Sequence, residues 1–363
     1  MMFSWTMQRY IAVQLFTGIM LVFAGCAILA MMIDLVELFN RAAGKEGVDF
    51  FTVLGMSLLK LPGLSEKILP FAALFGSIWT FTKLSRTQEL VVVRASGMSI
   101  WQFLTPALVL AFVIGVLAIT VYNPIAAAMM GRFEDLEARY IRGKPSLLSL
   151  ASTGLWLRQA DDTGQQVIHA LRIGSQLQLE DVIIFLQDKG ERFVGRIDAK
   201  SAQLSEGEWL LTEAWRTGAD RTPVYQANTS LRTTLTPAQI QDSFTTPETI
   251  SLWDLPGVIH TFEAAGFSAL RHRLHYYSLL ASPFLLCAMT IIAASFSLRF
   301  ARLGGVTRLI LAGSLTGFFL YFVSDLTQAL GISSILPVTL AAWSPTAVAL
   351  LLGAAALLHL EDG

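Results

Sequence analysis

Few side chains in this sequence are spaced for chemistry, and each set falls short of a complete site. Asp34 and Glu37 stand at i, i+3, which puts both carboxylates on one helix face. No nucleophile or metal ligand accompanies them, so they read as a solvated helix end and not as an acid and base pair. His272 and His275 share a face in the same way without a third ligand. Gly143, Lys144, Pro145 and Ser146 are only superficially like a phosphate loop, because the G-x-x-x-x-G-K-[ST] pattern is missing. His169 is alone on a strand-like segment. Cys26 and Cys287 lie inside apolar runs, where neither a disulfide framework nor a metal site is expected. No catalytic residue, metal or cofactor is therefore expected. What remains is a set of basic residues, Arg41, Arg132, Arg139 and Arg142, suited to bidentate contact with phosphate. Such residues at a helix end also snorkel to ordinary anionic phospholipid.

The other notable stretch is Ser85 to Ser99, SRTQELVVVRASGMS, a polar interruption between two membrane-length apolar runs. Ser85 and Gln88 have capping-box spacing and Gly97 can end a helix, so a short helix is expected here. Leu90, Val93 and Gly97 recur at helical spacing, with Arg86, Glu89 and Arg94 as a charged outer surface. Such a helix can dock on another protein. The competing reading is an interfacial turn lying on lipid headgroups.

These residues must be held by membrane-spanning elements. The chain has 363 residues, 54% hydrophobic and 15% charged, with several uncharged runs long enough to cross ~30 Å of hydrocarbon. A net charge of -1 argues against a nucleic-acid partner. Ile11 to Ile33 reads as a retained first span with no cleavage site after it. The second span, within Phe50 to Thr82, is expected to bend or break at Pro62 and Pro70. The third is expected to run from near Ile100 to near Tyr122, and the last three within Leu274 to Leu298, Leu309 to Ser324 and Pro337 to Leu360. A short amphipathic helix, Ser251 to Ala265, precedes the fourth.

Between spans three and four the apolar runs shrink and alternate with Asp, Gly, Ser and Thr, as in soluble β structure. Six strands are expected: Gly154 to Gln159, Gln166 to Ile173, Asp181 to Gln187, Arg192 to Leu204, Glu208 to Trp215 and Val224 to Leu235. Their near-regular spacing suggests a sandwich or jelly roll. The fold class is thus an α-helical integral membrane protein with six transmembrane helices and an extracytoplasmic all-β, jelly-roll-like domain between helices 3 and 4. The parts are residues 1–143, 144–250 and 251–363. Arg9, Lys83, Arg86, Arg94, Arg299, Arg302 and Arg308 fall on one side, which the positive-inside bias makes cytoplasmic, and both termini lie there.

No span carries the repeated charges of a channel or a proton-coupled carrier, and the chain has no nucleotide loop. If the protein moves anything, the energy comes from elsewhere, and a separate ATPase could supply it by pulling on the Ser85–Ser99 helix. The stretches RYIAVQLF (Arg9–Phe16), IDLVELFNRAA (Ile33–Ala43), LPFAALFGSIWTFTKLSRTQELVVVRASGMS (Leu69–Ser99) and GLW (Gly154–Trp156), with the order of spans and β domain, carry a resemblance. The sequence resembles the LptF/LptG permease family of the lipopolysaccharide export ABC transporter, closer to its LptG branch, over essentially the whole chain.

The resemblance implies a non-catalytic subunit of the bacterial inner membrane that extracts lipopolysaccharide, with the β domain in the periplasm. It implies that Ser85–Ser99 is the coupling helix, with Glu89 the acidic contact to an LptB-like ATPase and Arg86 and Arg94 beside it. It further implies a heterodimer with an LptF-like sister permease, a single-span LptC-like regulator and an LptA-like periplasmic bridge. Arg41 and Arg139 match positions where the family carries basic residues, whereas Asn40 stands where a second one occurs. Phe318, Tyr321 and Phe322 on the fifth span are suited to touch acyl chains, or to pack or face lipid. Two other functions stay open: a membrane scaffold, and a permease for another amphiphile such as a lipoprotein or glycolipid. An enzyme acting on lipid lacks a catalytic set.

Overall fold

The computed structural model describes residues 5–43, 45, 48–89, 99–141, 155–160, 165–173, 178–187, 192–205, 207–218, 222–233, 246–264, 268–300 and 306–361. Two compact units result. One comprises Met1–Phe133, Pro247–Leu255 and Leu270–Gly363; the other comprises Glu134–Thr246 and Pro256–Ala269.

The elements follow one another as α1 (Trp5–Ala42), α2 (Phe50–Arg86), α3 (Ile100–Leu117), a π-helical turn (Ala118–Tyr122) and α4 (Asn123–Tyr140). Six strands come next: β1 (Leu155–Ala160), β2 (Gln165–Ile173), β3 (Gln178–Gln187), β4 (Phe193–Ser205), β5 (Glu208–Gly218) and β6 (Pro223–Arg232). A 3-10 turn (Pro247–Thr249), α5 (Leu255–Ala264), α6 (Leu270–Phe300), α7 (Val306–Ile332) and α8 (Val338–Glu361) complete the described residues. Among the described residues six helices are long and apolar enough to cross a membrane, in the six expected places.

The spans differ from expectation at three points. The second does not break, because α2 runs helically through both Pro62 and Pro70. It also absorbs Ser85 and Arg86, so Ser85 and Gln88 form no capping box. Thr87 caps the helix end, and Gln88 turns the chain with a left-handed φ of 62°. The third span does not stop near Tyr122. A proline ring clashes with the carbonyl four residues back and offers no N–H to it, and the widened turn at Ala118–Tyr122 relieves this at Pro124. There the Asn123 N–H bonds to Ala118 O, five residues back, and the helix continues to Tyr140. Ser99 does form a capping box, with Gln102, and so starts α3 where the sequence places the span.

In the membrane unit α6 is the central helix, packed on α2, α3, α7 and α8. In its apolar window 61% of residues are buried, against 11% in α1 and 17% in α7, so the latter two lie on the outside of the bundle. Small residues set the close contacts. A Cβ on Gly76 would lie 2.5 Å from Ile19 Cα, and one on Gly18 would lie 2.9 Å from Gly76 O, so α1 and α2 cross backbone to backbone. Thr80 Oγ donates to Gly76 O at 2.9 Å and Lys83 Nζ to Gln14 Oε1 at 3.1 Å along the same seam.

All six expected strands form, as one antiparallel sheet in the sequential order β1 to β6. The jelly-roll-like domain is therefore a single meander folded on itself. The fold line is one row across the sheet. Pairing is interrupted between Leu171, Asp181, Lys200, Glu213 and Ala227 in four successive ladders while the register on both sides is unchanged. Asp181 and Glu213 are left-handed there, with φ of 53° and 51°. The inward positions change parity across that row: Val182 and Ile184 but Leu179 in β3, Ile197 and Ala199 but Ala202 in β4, Ala214 but Trp209 and Leu211 in β5. A strand that kept strict alternation would turn half of these to the outside. The reset puts both halves into one core. Lys200 Nζ and Glu213 Oε1 meet across the row at 2.9 Å, and that hydrogen bond and charge hold the exposed lysine above its usual pKa.

The crossing of α1 and α2 yields a test. Gly76→Val places a branched side chain where only hydrogen fits, and rotation of the side chain cannot relieve contact with backbone atoms. A loss of ~1–3 kcal/mol or more is expected, read as a lower unfolding midpoint of the detergent-solubilised protein. Ala at exposed Leu351 should leave the midpoint unchanged.

Candidate functional site

Three groups of sequence-selected residues occupy three different places. The first is the end of the bundle that carries Trp5, Arg86 and Ser99. Arg86 is exposed in the last turn of α2. Glu89 follows the turn at Thr87 and Gln88, and its Oε1 accepts hydrogen bonds from Thr87 Oγ at 2.8 Å and from the Tyr10 hydroxyl at 3.3 Å. The carboxylate is thus steered by α1 and by the end of α2, a half-buried acid on a defined mount. Leu90, Val93 and Arg94, and the short helix expected around them, lie outside the described residues.

Of the second group, Arg41 and Arg132 belong to the membrane unit. At about 1.5 Å per residue, α1 is roughly 57 Å long against ~30 Å of hydrocarbon. Its charged residues fall in the surplus. Arg41 is exposed and pairs with Glu37 one turn earlier. Asp34 is not the solvated helix end expected from its spacing. It is 5% exposed, shares a buried stripe with Leu38 and Ala42, and faces α2, where Lys60 makes an ion pair with Oδ1 and Ser57 Oγ donates to Oδ2 at 3.2 Å. A buried carboxylate needs such partners, since an unpaired charge there costs several kcal/mol. Arg132 is exposed on α4 in the same unit, and Arg139 is exposed on α4 within the other unit. Arg142 lies outside the described residues.

The third group is the outward face of α7. Phe318, Tyr321 and Phe322 occur at i, i+3, i+4 and are exposed by 70%, 58% and 56%, with Phe319 beside them. Tyr321 also reaches Phe71 of α2, ring centroids 6.3 Å apart. The face is continuous and apolar, suited to hydrocarbon chains or to another apolar helix.

His272 is buried and His275 lies a turn further along α6. Among the described residues no three His, Cys, Asp or Glu side chains come together as a metal site.

The structure adds residues that sequence reasoning missed. The segment 250–254, which leads out of the β strands toward α5, is fastened to the third span. Leu252 N–H donates to Asn123 Oδ1 at 2.8 Å, and Asn123 Nδ2 donates to Glu66 Oε2 at 3.5 Å. Trp253 Nε1 donates at 3.2 Å to Thr120 O, the carbonyl that Pro124 cannot serve. Pro124 was the available signal: a proline inside a helix frees a carbonyl, and something must satisfy it. Asn123 is 2% exposed, and with Ala in its place the Leu252 N–H and the Glu66 carboxylate both lose their partner. Asn123→Ala should lower stability by ~1–3 kcal/mol, measured by thermal unfolding in detergent. An unchanged midpoint would mean that packing of Leu252 and Leu255 alone holds the segment.

Comparison with known proteins agrees with this layout. A sequence model of the family "Lipopolysaccharide export system permease LptF/LptG" matches residues 9–359. The lipopolysaccharide export system permease protein LptG of Haemophilus influenzae is 24% identical over 335 residues, covering 88% of this chain and 89% of that protein. The LptG protein of Escherichia coli strain K12 is 23% identical over 347 residues, covering 94% of each. With six spans and an antiparallel sheet between the third and fourth, the chain belongs to the LptF/LptG family of lipopolysaccharide export system permeases.

Proposed function

We propose that this protein is a transmembrane permease subunit that extracts lipopolysaccharide from the bacterial inner membrane and passes it to a periplasmic bridge. The observation that carries the reading is the family match from residue 9 to residue 359, which takes in all six spans, the polar stretch and the β domain. In this reading both termini and the Ser85–Ser99 stretch are cytoplasmic and the sheet is periplasmic, as the basic residues around that stretch favour.

The subunit does no chemistry itself. A separate ATPase seats Arg86, Glu89, Leu90, Val93 and Arg94 in a groove, and its closure rocks the spans. The sister permease completes the cavity, and a single-span regulator and the bridge protein complete the route. Arg41, Arg132, Arg139 and Arg142 bind the phosphates of the headgroup, for which the planar guanidinium is suited. Phe318, Tyr321 and Phe322 meet acyl chains. Arg41 exchanges Glu37 for phosphate as the lipid arrives, a swap between two anions on one guanidinium.

Affinity purification of Glu89→Arg beside wild type tests the coupling. The expected result is loss of the copurified ATPase subunit and its ATP hydrolysis, with the six-span protein still folded. Tyr10→Phe, which removes only one donor to Glu89, should retain both. Retention of full activity by Glu89→Arg would favour a scaffold. For the rim, Arg41→Glu should weaken lipopolysaccharide-stimulated ATP hydrolysis with assembly intact. Unchanged stimulation would remove Arg41 from the lipid contacts.

A further inference from the structure

We infer that Lys60 is a positioning residue that holds two rim arginines, Arg41 of α1 and Arg132 of α4, in one frame for an anionic lipid headgroup. The inference rests on the rim reading above and adds to it the side chain that sets the rim's geometry.

Lys60 projects from α2 between two other helices. On one side its ammonium pairs with Asp34, which is 5% exposed and already takes a hydrogen bond from Ser57. On the other it lies over the Phe133 ring, 5.4 Å from the centroid. Phe133 is 3% exposed and is the residue next to Arg132, so the cation fixes the helix turn that presents that arginine. Asp34 stands two turns before Arg41 on α1, and Leu38 and Ala42 of the same stripe are buried as well, so this part of α1 cannot rotate freely once Asp34 is held.

The chemistry suits a positioning role and not a direct ligand. Lys60 is only 18% exposed by side chain and its charge is committed to Asp34. The pair is net neutral and adds no charge to the rim. What it supplies is direction, because a buried ion pair with further hydrogen bonds tolerates few arrangements. Phosphate recognition by two guanidinium groups depends on such preorganisation, since each degree of freedom left to the rim weakens the bound state.

The test measures position and function separately. Spin labels at exposed Asn40 and Ala128, in a chain with Cys26→Ser and Cys287→Ala, report the distance between α1 and the turn before Arg132. The measurement is made on the full chain with its copurifying subunits in phosphatidylglycerol and phosphatidylethanolamine nanodiscs. Lipopolysaccharide-stimulated ATP hydrolysis is read on the unlabelled complex. The wild type should give one narrow distance peak. Lys60→Met should broaden it and lose lipid stimulation, and Lys60→Arg, which keeps charge, reach and stacking on Phe133, should restore both. If Lys60→Met does not fold, the double variant Asp34→Asn with Lys60→Met removes both charges together and should broaden the peak in its place.

A peak unchanged in every variant overturns the inference whatever the lipid does. A broadened peak with full stimulation, while Arg41→Glu abolishes stimulation, leaves the rim in place and overturns the role of Lys60. If Arg41→Glu also leaves stimulation intact, the rim reading itself falls, and the positioning role falls with it.

Discussion

Apolar side chains gain nothing by leaving a hydrocarbon solvent for one another, so the membrane unit needs another source of cohesion. It finds one where side chains are absent. At Gly18 and Gly76 the backbones of α1 and α2 come within contact of each other, and Gly115 admits Pro283 of α6 against α3 in the same manner. Short hydroxyl bridges reinforce the pattern: Ser295 Oγ bonds to Ile291 O within α6 at 3.0 Å and reaches Gly353 O of α8 at 3.3 Å. The long helices can then leave whole faces of α1 and α7 uncovered without losing their packing, and those faces are free to meet lipid or another subunit.

The ends of the helices obey the opposite rule. Beyond the hydrocarbon the chain carries charge, and two of the buried polar groups there have specific partners. Asp34 has Lys60 and Ser57, and Asn123 joins Glu66 to the Leu252 amide. These contacts do little for net stability compared with a well-packed apolar alternative. They do fix orientation, because a buried polar pair with defined partners tolerates few arrangements of the helices that carry it. The β domain uses a related device: one row of residues gives up regular pairing so that the two halves of its strands share one core.

Much of this was legible beforehand. Six long apolar segments, six short alternating ones and the polar stretch at Ser85–Ser99 lead to the spans, the strands and the family. The burial of Asp34 is not legible, because spacing alone cannot distinguish a carboxylate facing solvent from one facing a lysine on the next helix. Lys60 lies 26 residues further on. Ser85 ends one helix instead of starting the next because capping signals compete with the continuation of a helix already under way, and packing of Phe81 and Leu84 carries α2 on to Arg86.

By itself the sequence determined what local rules govern: the length and polarity of each span, since hydrocarbon admits nothing else, and the strand segments, since period-two alternation reports a half-buried pleat. Only the tertiary structure decided what depends on residues far apart in the chain. It put Asp34 against Lys60 and Lys60 against Phe133, gave the Thr120 carbonyl to Trp253, and reset the parity of β3, β4 and β5 along a single row. Each of these is a contact or a phase set by a neighbour that local sequence does not contain, and their energies exist only once the helices and strands have been brought together.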